Sequence, residues 1–204
     1  MYSVLVRMLL TTLTSQLCEG LTTPFIPIYW RDVFEVSPVS LQFMTLSYSV
    51  SMLVGAGVMP KLGEKIGRVE ACVLMEFLAG AIYVIMGYGT MAEEPMFWLL
   101  WPLSFAREIT EVSAFILWGA VFADCVPPDQ RARWEAFFPT FGLGNSITTG
   151  IGGKVIEDFG YGFNFIVTGF ATGIPALTLA SVIPDVGKAQ EKAKAQATAS
   201  TEML

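Results

Sequence analysis

Four ionisable residues stand near the middle of two long apolar stretches, and their types and spacing set the first chemical expectation. Arg107, Glu108 and Glu111 stand together near the middle of the apolar run 96–122. Arg107 and Glu111 are four residues apart, so on a helix they share a face and can form an ion pair. Glu19 stands alone near the middle of the run 4–29. A solitary carboxyl in a low-dielectric setting is suited to exchanging a proton near neutral pH. Pro24 and Pro27 follow it and can bend the helix, freeing backbone carbonyls to face a cavity. Such groups suit proton exchange or an internal ion pair that fixes helix packing, and the rest of the inventory offers little for making or breaking bonds. There is no histidine, which excludes His-dependent triads and His-ligated zinc or haem. Cys18, Cys72 and Cys125 are odd in number and form no C-x-x-C pair, so they read as small apolar residues, with neither a disulfide framework nor a metal site. G-x-S-x-G and a pair of intramembrane aspartates are also missing. We therefore expect no enzyme, no metal and no cofactor.

The elements that must hold these charges follow from composition. Of 204 residues, 53% are hydrophobic and only 15% charged, and the mean hydropathy is +0.57. That leaves too little polar surface to clothe a water-soluble globule, and it points to a lipid bilayer as the surroundings. The net charge of -6 argues against a nucleic-acid partner. Pro, Gly and charge divide the chain into six apolar runs at 4–29, 39–59, 69–88, 96–122, 136–156 and 161–183. Each is long enough for a transmembrane helix and none alternates like a barrel strand. The fold class expected is an all-α membrane protein, with a six-helix bundle over 1–184 and a polar cytoplasmic tail over 185–204. Arg7 precedes an apolar stretch without a small-x-small cleavage site, so the first run is read as a helix and not as a signal peptide.

The fourth run cannot stand by itself. Three charges at the centre of a span cost about 8–10 kcal/mol, whereas its dozen Leu, Ile, Val and Phe residues return about 4–7 kcal/mol. Neighbouring helices must shelter it. Six crossings place Lys61, Lys65, Arg68, Arg131, Arg133 and the lysines of the tail on one side. The other side has only Arg31 and Lys154, with Glu93 and Glu94. The positive-inside rule then makes both termini cytoplasmic in a multi-pass protein of the plasma membrane. Glu76, nearer the basic side, is expected to contact the basic loop. Trp98, Trp101 and Trp118 read as interface and packing residues. Ser47, Ser51 and Gly55 in the second run, and Gly144, Thr148 and Gly152 in the fifth, form small-residue stripes at intervals of four that let helices approach closely. They suit helix packing, either within the bundle or against a partner.

Three connecting segments carry a family resemblance. PKLGEKIGR at 60–68 resembles the signature G-x-L-a-D-r-x-G-R that the major facilitator superfamily bears between its second and third helices and, more weakly, between its eighth and ninth. Leu62, Lys65, Gly67 and Arg68 fit, while Pro60 replaces the first glycine and Glu64 the aspartate. ADCVPPDQRAR at 123–133 is similar to the family's connection after helix four or ten, and GGKVIEDFGYGFNF at 152–165 to its hinge between helices five and six or eleven and twelve.

The resemblance covers nearly the whole chain but only one six-helix half of a twelve-helix transporter. The altered signature and the polar tail favour the carboxy-terminal half. It implies two inverted three-helix repeats, with the first and fourth helices lining a cavity and the second and fifth meeting the other half. Arg107 matches the family's buried arginine of R-x-x-x-G, with Glu111 in the glycine's place. The implied function is secondary active transport of a small solute by alternating access, coupled to protons through Glu19, Arg107, Glu108 and Glu111. A second half, from a homodimer or a separate chain, would be required. The alternative is a non-transporting split or truncated membrane protein that acts as a partner-binding subunit.

Overall fold

The computed structural model describes residues 2–126, 130–136 and 138–185, and among these all regular structure is helical. The long helices are α1 (Tyr2–Thr22), α3 (Pro38–Ile66), α4 (Arg68–Thr90), α5 (Phe97–Cys125) and α7 (Phe138–Ala171). Shorter ones are α2 (Ile26–Phe34), α6 (Arg131–Glu135) and α8 (Gly173–Ala180).

Local chemistry explains where these helices start and stop. The first apolar run does not continue unbroken to residue 29. Pro24 and Pro27 lack amide hydrogens, and α1 gives way to a single 3-10 turn at Thr23–Phe25 before α2 begins. α3 starts on a Ser37 cap, whose hydroxyl accepts from the Ser40 amide at 3.2 Å, with Pro38 in the first helical position. It then runs seven residues beyond the expected end at Met59, straight through Pro60, so most of the 60–68 motif is helical. Only Gly67 leaves the helix, at φ 99° and ψ 144°, and α4 begins on the next residue. A side chain there would be strained and would collide with the Glu70 carboxylate, which is why this one-residue corner needs glycine. Leu62 packs into the apolar core, whereas Lys61, Glu64, Lys65 and Arg68 are exposed.

α7 joins two of the expected runs. Gly160, at φ 82° and ψ 171°, interrupts it as a hairpin turn. Before that turn, Gly144 meets Leu13 and Leu17 of α1, and Gly152 meets Leu21, so this arm runs alongside α1 in the same direction. After it, Asn164 reaches Leu21 and Thr22, and Asp185, beyond α8, pairs with Arg7, so the second arm returns antiparallel. Arg7 also donates to the Ser181 carbonyl, which ties the start of the chain to residues 181–185. Apart from Asp185, the expected tail lies outside the described residues. At the end of α5, Arg131 donates to the carbonyls of Ala123 (2.6 Å) and Val126 (3.1 Å), groups that the helix terminus leaves without amide partners.

Two apolar clusters hold the ends of the bundle. One gathers Leu5, Met8, Val69, Cys72, Val121, Phe122 and Leu179 near the Gly67 corner. The other gathers Tyr29, Trp30, Met86, Leu100 and Phe165 at the opposite end. There Tyr161 donates to Asp32 Oδ2 (2.9 Å) and Arg31 Nε to Oδ1 (3.0 Å). The Tyr161 hydroxyl first, and Arg31 second, hold the Asp32 carboxyl below the usual carboxylate range. A carboxyl depressed in the folded state adds stability above its unfolded value, about pH 4, and loses it as pH falls through its folded value. Tyr161→Phe is accordingly expected to lower the melting temperature at pH 7 more than at pH 3. An equal shift at both pH values would show that this hydrogen bond does not act through Asp32.

Three helical stretches, Pro38–Ile66, Arg68–Thr90 and Gly142–Asp185, are long and apolar enough to cross a membrane. α5 is as long as α3 but carries three central charges, and α1 is rich in Thr, Ser and Gln. The exterior is inside-out relative to a soluble protein. Phe43, Leu46 and Leu53 on α3, Ile85 on α4, Leu143 and Ile147 on α7, and Leu177 on α8 all lie exposed, an apolar belt suited to lipid.

Candidate functional site

Between the two apolar clusters lies a cavity of about 280 Å³, walled by α1, α4, α5 and the second arm of α7. α1 and α5 scarcely touch, so the cavity is open between them, with the largely exposed Phe115 at its rim. Three carboxylates line it, Glu19 from α1, Glu76 from α4 and Glu111 from α5. Around them are the hydroxyls of Thr11, Thr12, Ser15, Thr168 and Thr172, the Cys18 thiol, and the rings of Tyr83, Phe115 and Trp118.

Each acid has a distinct anchor. Glu19 Oε2 accepts from Gln16 Nε2 at 2.8 Å, one turn earlier on the same helix. Glu76 is hydrogen-bonded to Ser15 across the α1–α4 gap. Glu111 Oε2 accepts from Arg107 Nη1 at 2.6 Å, the i,i+4 geometry. Arg107 is 3% exposed, and the same Nη1 donates to the Tyr83 hydroxyl at 2.9 Å, while its guanidinium lies 5.2 Å from the Tyr83 ring centre. Its Nη2 reaches Glu108 Oε1 at 3.5 Å. Nε has no partner among the described residues.

The four charged residues singled out in the sequence do not converge on one space. Glu19 and Glu111 line the cavity, and Arg107 stands behind its wall. Glu108 turns away, accepts from Ser47 of α3 at 2.8 Å, and faces a smaller pocket among Trp30, Met44, Trp101 and Ser104. Successive residues on a helix point about 100° apart, so Glu108 cannot follow its neighbour. Glu76 lines the cavity, contrary to the expected contact with the basic loop, because its helix starts one residue after Gly67 and carries position 76 two turns inward. Trp118 lines it too, and stacks on Phe122 with ring centres 5.4 Å apart.

The small stripes are occupied inside the bundle. A methyl at Gly152 would fall on the Leu21 carbonyl, Gly144 faces Leu17, and Gly55 faces Ser113 and Ile116 of α5. Ser51 is fully buried, its hydroxyl donating to the Ser47 carbonyl at 2.9 Å. They therefore pack α7 on α1 and α3 on α5, which leaves them unavailable to a partner. Sequence reasoning missed Tyr83, the shared partner of Arg107 and Glu111. It also missed Asn164, fully buried and donating to Leu21 O and Thr22 Oγ1 at 2.9 Å each. A single amide inside the apolar run 161–183 was the available signal for Asn164, since a buried amide must find hydrogen-bond partners.

The geometry is thus an arginine held between acids behind the wall of a half-open cavity, within an apolar helical bundle. The model of the Major Facilitator Superfamily matches residues 8–202. The chain belongs to this superfamily. Members of the Major Facilitator Superfamily are membrane transporters rather than enzymes, so a lipid bilayer and a small-molecule solute are the surroundings and cargo of this chain. Comparison with curated proteins and with solved structures returned no match. For a superfamily member, a 204-residue chain is of half size.

Proposed function

We propose that the chain is a six-helix half of a proton-coupled secondary transporter, in which Glu19 and the Arg107–Glu111 pair bind and release protons as solute crosses by alternating access. The observation that carries this reading is the cavity. It lies midway between the two apolar clusters and is open between α1 and α5, so a further body must cover it before it can be reached from one side at a time. A second half, supplied by another copy or by a separate chain, fits that requirement. The reading counts six crossings as two three-helix repeats, with α7 contributing one crossing on each side of Gly160. The basic residues near the Gly67 corner and on α6 support reading that end as cytoplasmic, with the plasma membrane as the surrounding bilayer in this proposal. Arg31 and Lys154 lie at the other end, and there Lys154 is paired with Glu157 and Asp158 at 3.1 and 3.0 Å.

The test uses vesicles reconstituted with the chain, an imposed pH gradient and a panel of labelled solutes. Gradient-driven uptake is expected for the wild type. Glu19→Gln should reduce that uptake at least tenfold while leaving solute exchange without a gradient in place. If Glu19→Gln and wild type take up solute alike under a gradient, the proton-coupling role of Glu19 is wrong. Native mass measurement of the complex should give two halves. A strictly monomeric chain without uptake would favour the partner-binding reading.

A further inference from the structure

Resting on the cavity as the solute path, we infer that its solute is a small organic cation, an ammonium group carried on an apolar or aromatic body. The first ground is the charge of the wall. Among the described residues that line the cavity, the charged ones are Glu19, Glu76 and Glu111, all acids. Arg107 stands behind the wall, and its guanidinium is already shared by Glu111, Glu108 and Tyr83. It balances about one carboxylate. Glu19 and Glu76 are left with neutral donors, the Gln16 amide and the Ser15 hydroxyl. An anion entering this space meets two uncompensated carboxylates, and a neutral polyol leaves both of them unpaired. A cation supplies what the wall lacks.

The second ground is independent of charge and concerns the rest of the lining. Ala79, Ala114, Phe115 and Trp118 give the cavity an apolar, partly aromatic side, with Tyr83 nearby. Aromatic faces attract ammonium groups and also accept apolar bodies. A space of about 280 Å³ with such walls is far larger than a bare metal ion needs. No group of three or more potential ligands suited to a metal occurs among the described residues. An organic ammonium satisfies both sides of the cavity at once.

Protons and the cation then compete for the same carboxylates. The titratable groups facing Glu19 and Glu76 are Cys18 from α1, Tyr83 from α4, and Glu111 with Arg107 behind it from α5. Among the described residues, the α7 wall adds the hydroxyl of Thr168, with Thr172 just beyond it. Lowering the pH should therefore weaken cation binding, because protons fill the sites that the cation uses.

The experiment measures binding separately from transport. Labelled benzyltrimethylammonium is titrated into the purified full chain in lipid nanodiscs, with benzyl alcohol and benzenesulfonate as neutral and anionic molecules carrying the same ring. Saturable binding is expected for the cation alone, weakening at least tenfold between pH 8 and pH 5. Glu76→Gln and Glu19→Gln should each weaken it at least tenfold. Glu76→Asp, which keeps the charge, should retain most of it, and so should Glu93→Gln on the exposed segment after α4. Equal or tighter binding of the alcohol or the sulfonate overturns the inference. So does cation binding that both Glu→Gln variants leave unchanged. Cation binding without any uptake in vesicles would overturn the transport reading and leave the cation specificity standing. Gradient-driven uptake of a neutral or anionic solute that occupies this cavity would do the reverse.

Discussion

Replacing Arg107 with alanine is expected to destabilise the purified protein by about 3–5 kcal/mol, the usual effect of removing one partner from a buried ion pair. The argument rests on what is left behind. Arg107 is 3% exposed and serves Glu111, Glu108 and the Tyr83 hydroxyl together. Without it, two carboxylates on adjacent turns of α5 lose their cation, and a phenol buried in the bundle loses a donor. Glu111 and Glu108 retain side-chain exposures of 25% and 17%, so water from the cavity offsets part of the cost and favours the lower end of the range. Arg107→Lys should fall between the two, since a single ammonium cannot hold a phenol and two carboxylates in the geometry of a planar guanidinium. The decisive variant is the double one, Arg107→Met with Glu111→Leu, which removes the pair and fills its volume with apolar atoms. It should recover part of the lost stability, since Glu111 no longer needs a cation while Glu108 and the Tyr83 hydroxyl still lack Arg107. Thermal melting in detergent with retained helicity checks all three. An Arg107→Ala protein as stable as wild type would mean that the acids are already neutral. A rescued double variant that still fails to transport would separate the pair's mechanistic role from its structural one.

How much of this site was legible in the sequence depends on the range of the interaction. The Arg107–Glu111 pair is local, one helical turn, and spacing alone suffices to foresee it. Glu19 was visible because a lone acid in an apolar run is costly wherever the run packs. Glu76 and Tyr83 were not, because their roles depend on how α4 is rotated against α1 and α5, and no local period encodes that rotation. Glu108 shows the same limit from the other side. Its neighbours in sequence suggested one cluster, but helical geometry sends it to Ser47 on α3. Of the fold, the apolar runs located the helices well, and the misplaced boundaries were at prolines and glycines. Pro60 looked like an end and is accommodated within α3, whereas Gly67, a position inside the family motif, makes the corner. Proline removes one hydrogen bond and can be carried within a long helix, while a positive φ at a one-residue junction has few alternatives to glycine.

The same long-range blindness hid a close contact between α4 and the second arm of α7, and that contact yields a second large effect. Gly80 and Gly87 of α4 lie against Gly169 and Gly162 of α7 in reciprocal fashion. A methyl at Gly80 would sit 2.8 Å from the Gly169 carbonyl oxygen, and one at Gly169 would sit 2.6 Å from that of Gly80. A methyl at Gly87 would sit 2.7 Å from the Gly162 carbonyl oxygen, and one at Gly162 would sit 2.9 Å from that of Gly87. These obstacles are backbone atoms of an opposing helix, so no rotamer change relieves them and the helices must separate. In lipid, where little hydrophobic drive holds helices together, such close backbone approach supplies much of the association. Gly80→Ala and Gly87→Ala should each destabilise by about 1–3 kcal/mol from overpacking, net of the gain of about 1 kcal/mol in helix propensity. The two positions are about 10 Å apart along α4, so the double variant should show nearly the sum. Gly57→Ala and Gly119→Ala provide the contrast, because an added methyl meets nothing within 4 Å at either place. They should be neutral or stabilising by up to about 1 kcal/mol. Melting temperatures of the five variants in one detergent decide the matter. If Gly80→Ala and Gly87→Ala behave like Gly57→Ala, α4 and the second arm of α7 do not approach this closely. The Glu76 wall, which α4 carries, would then stand farther from Thr168 and Thr172, and the cavity would be wider than described.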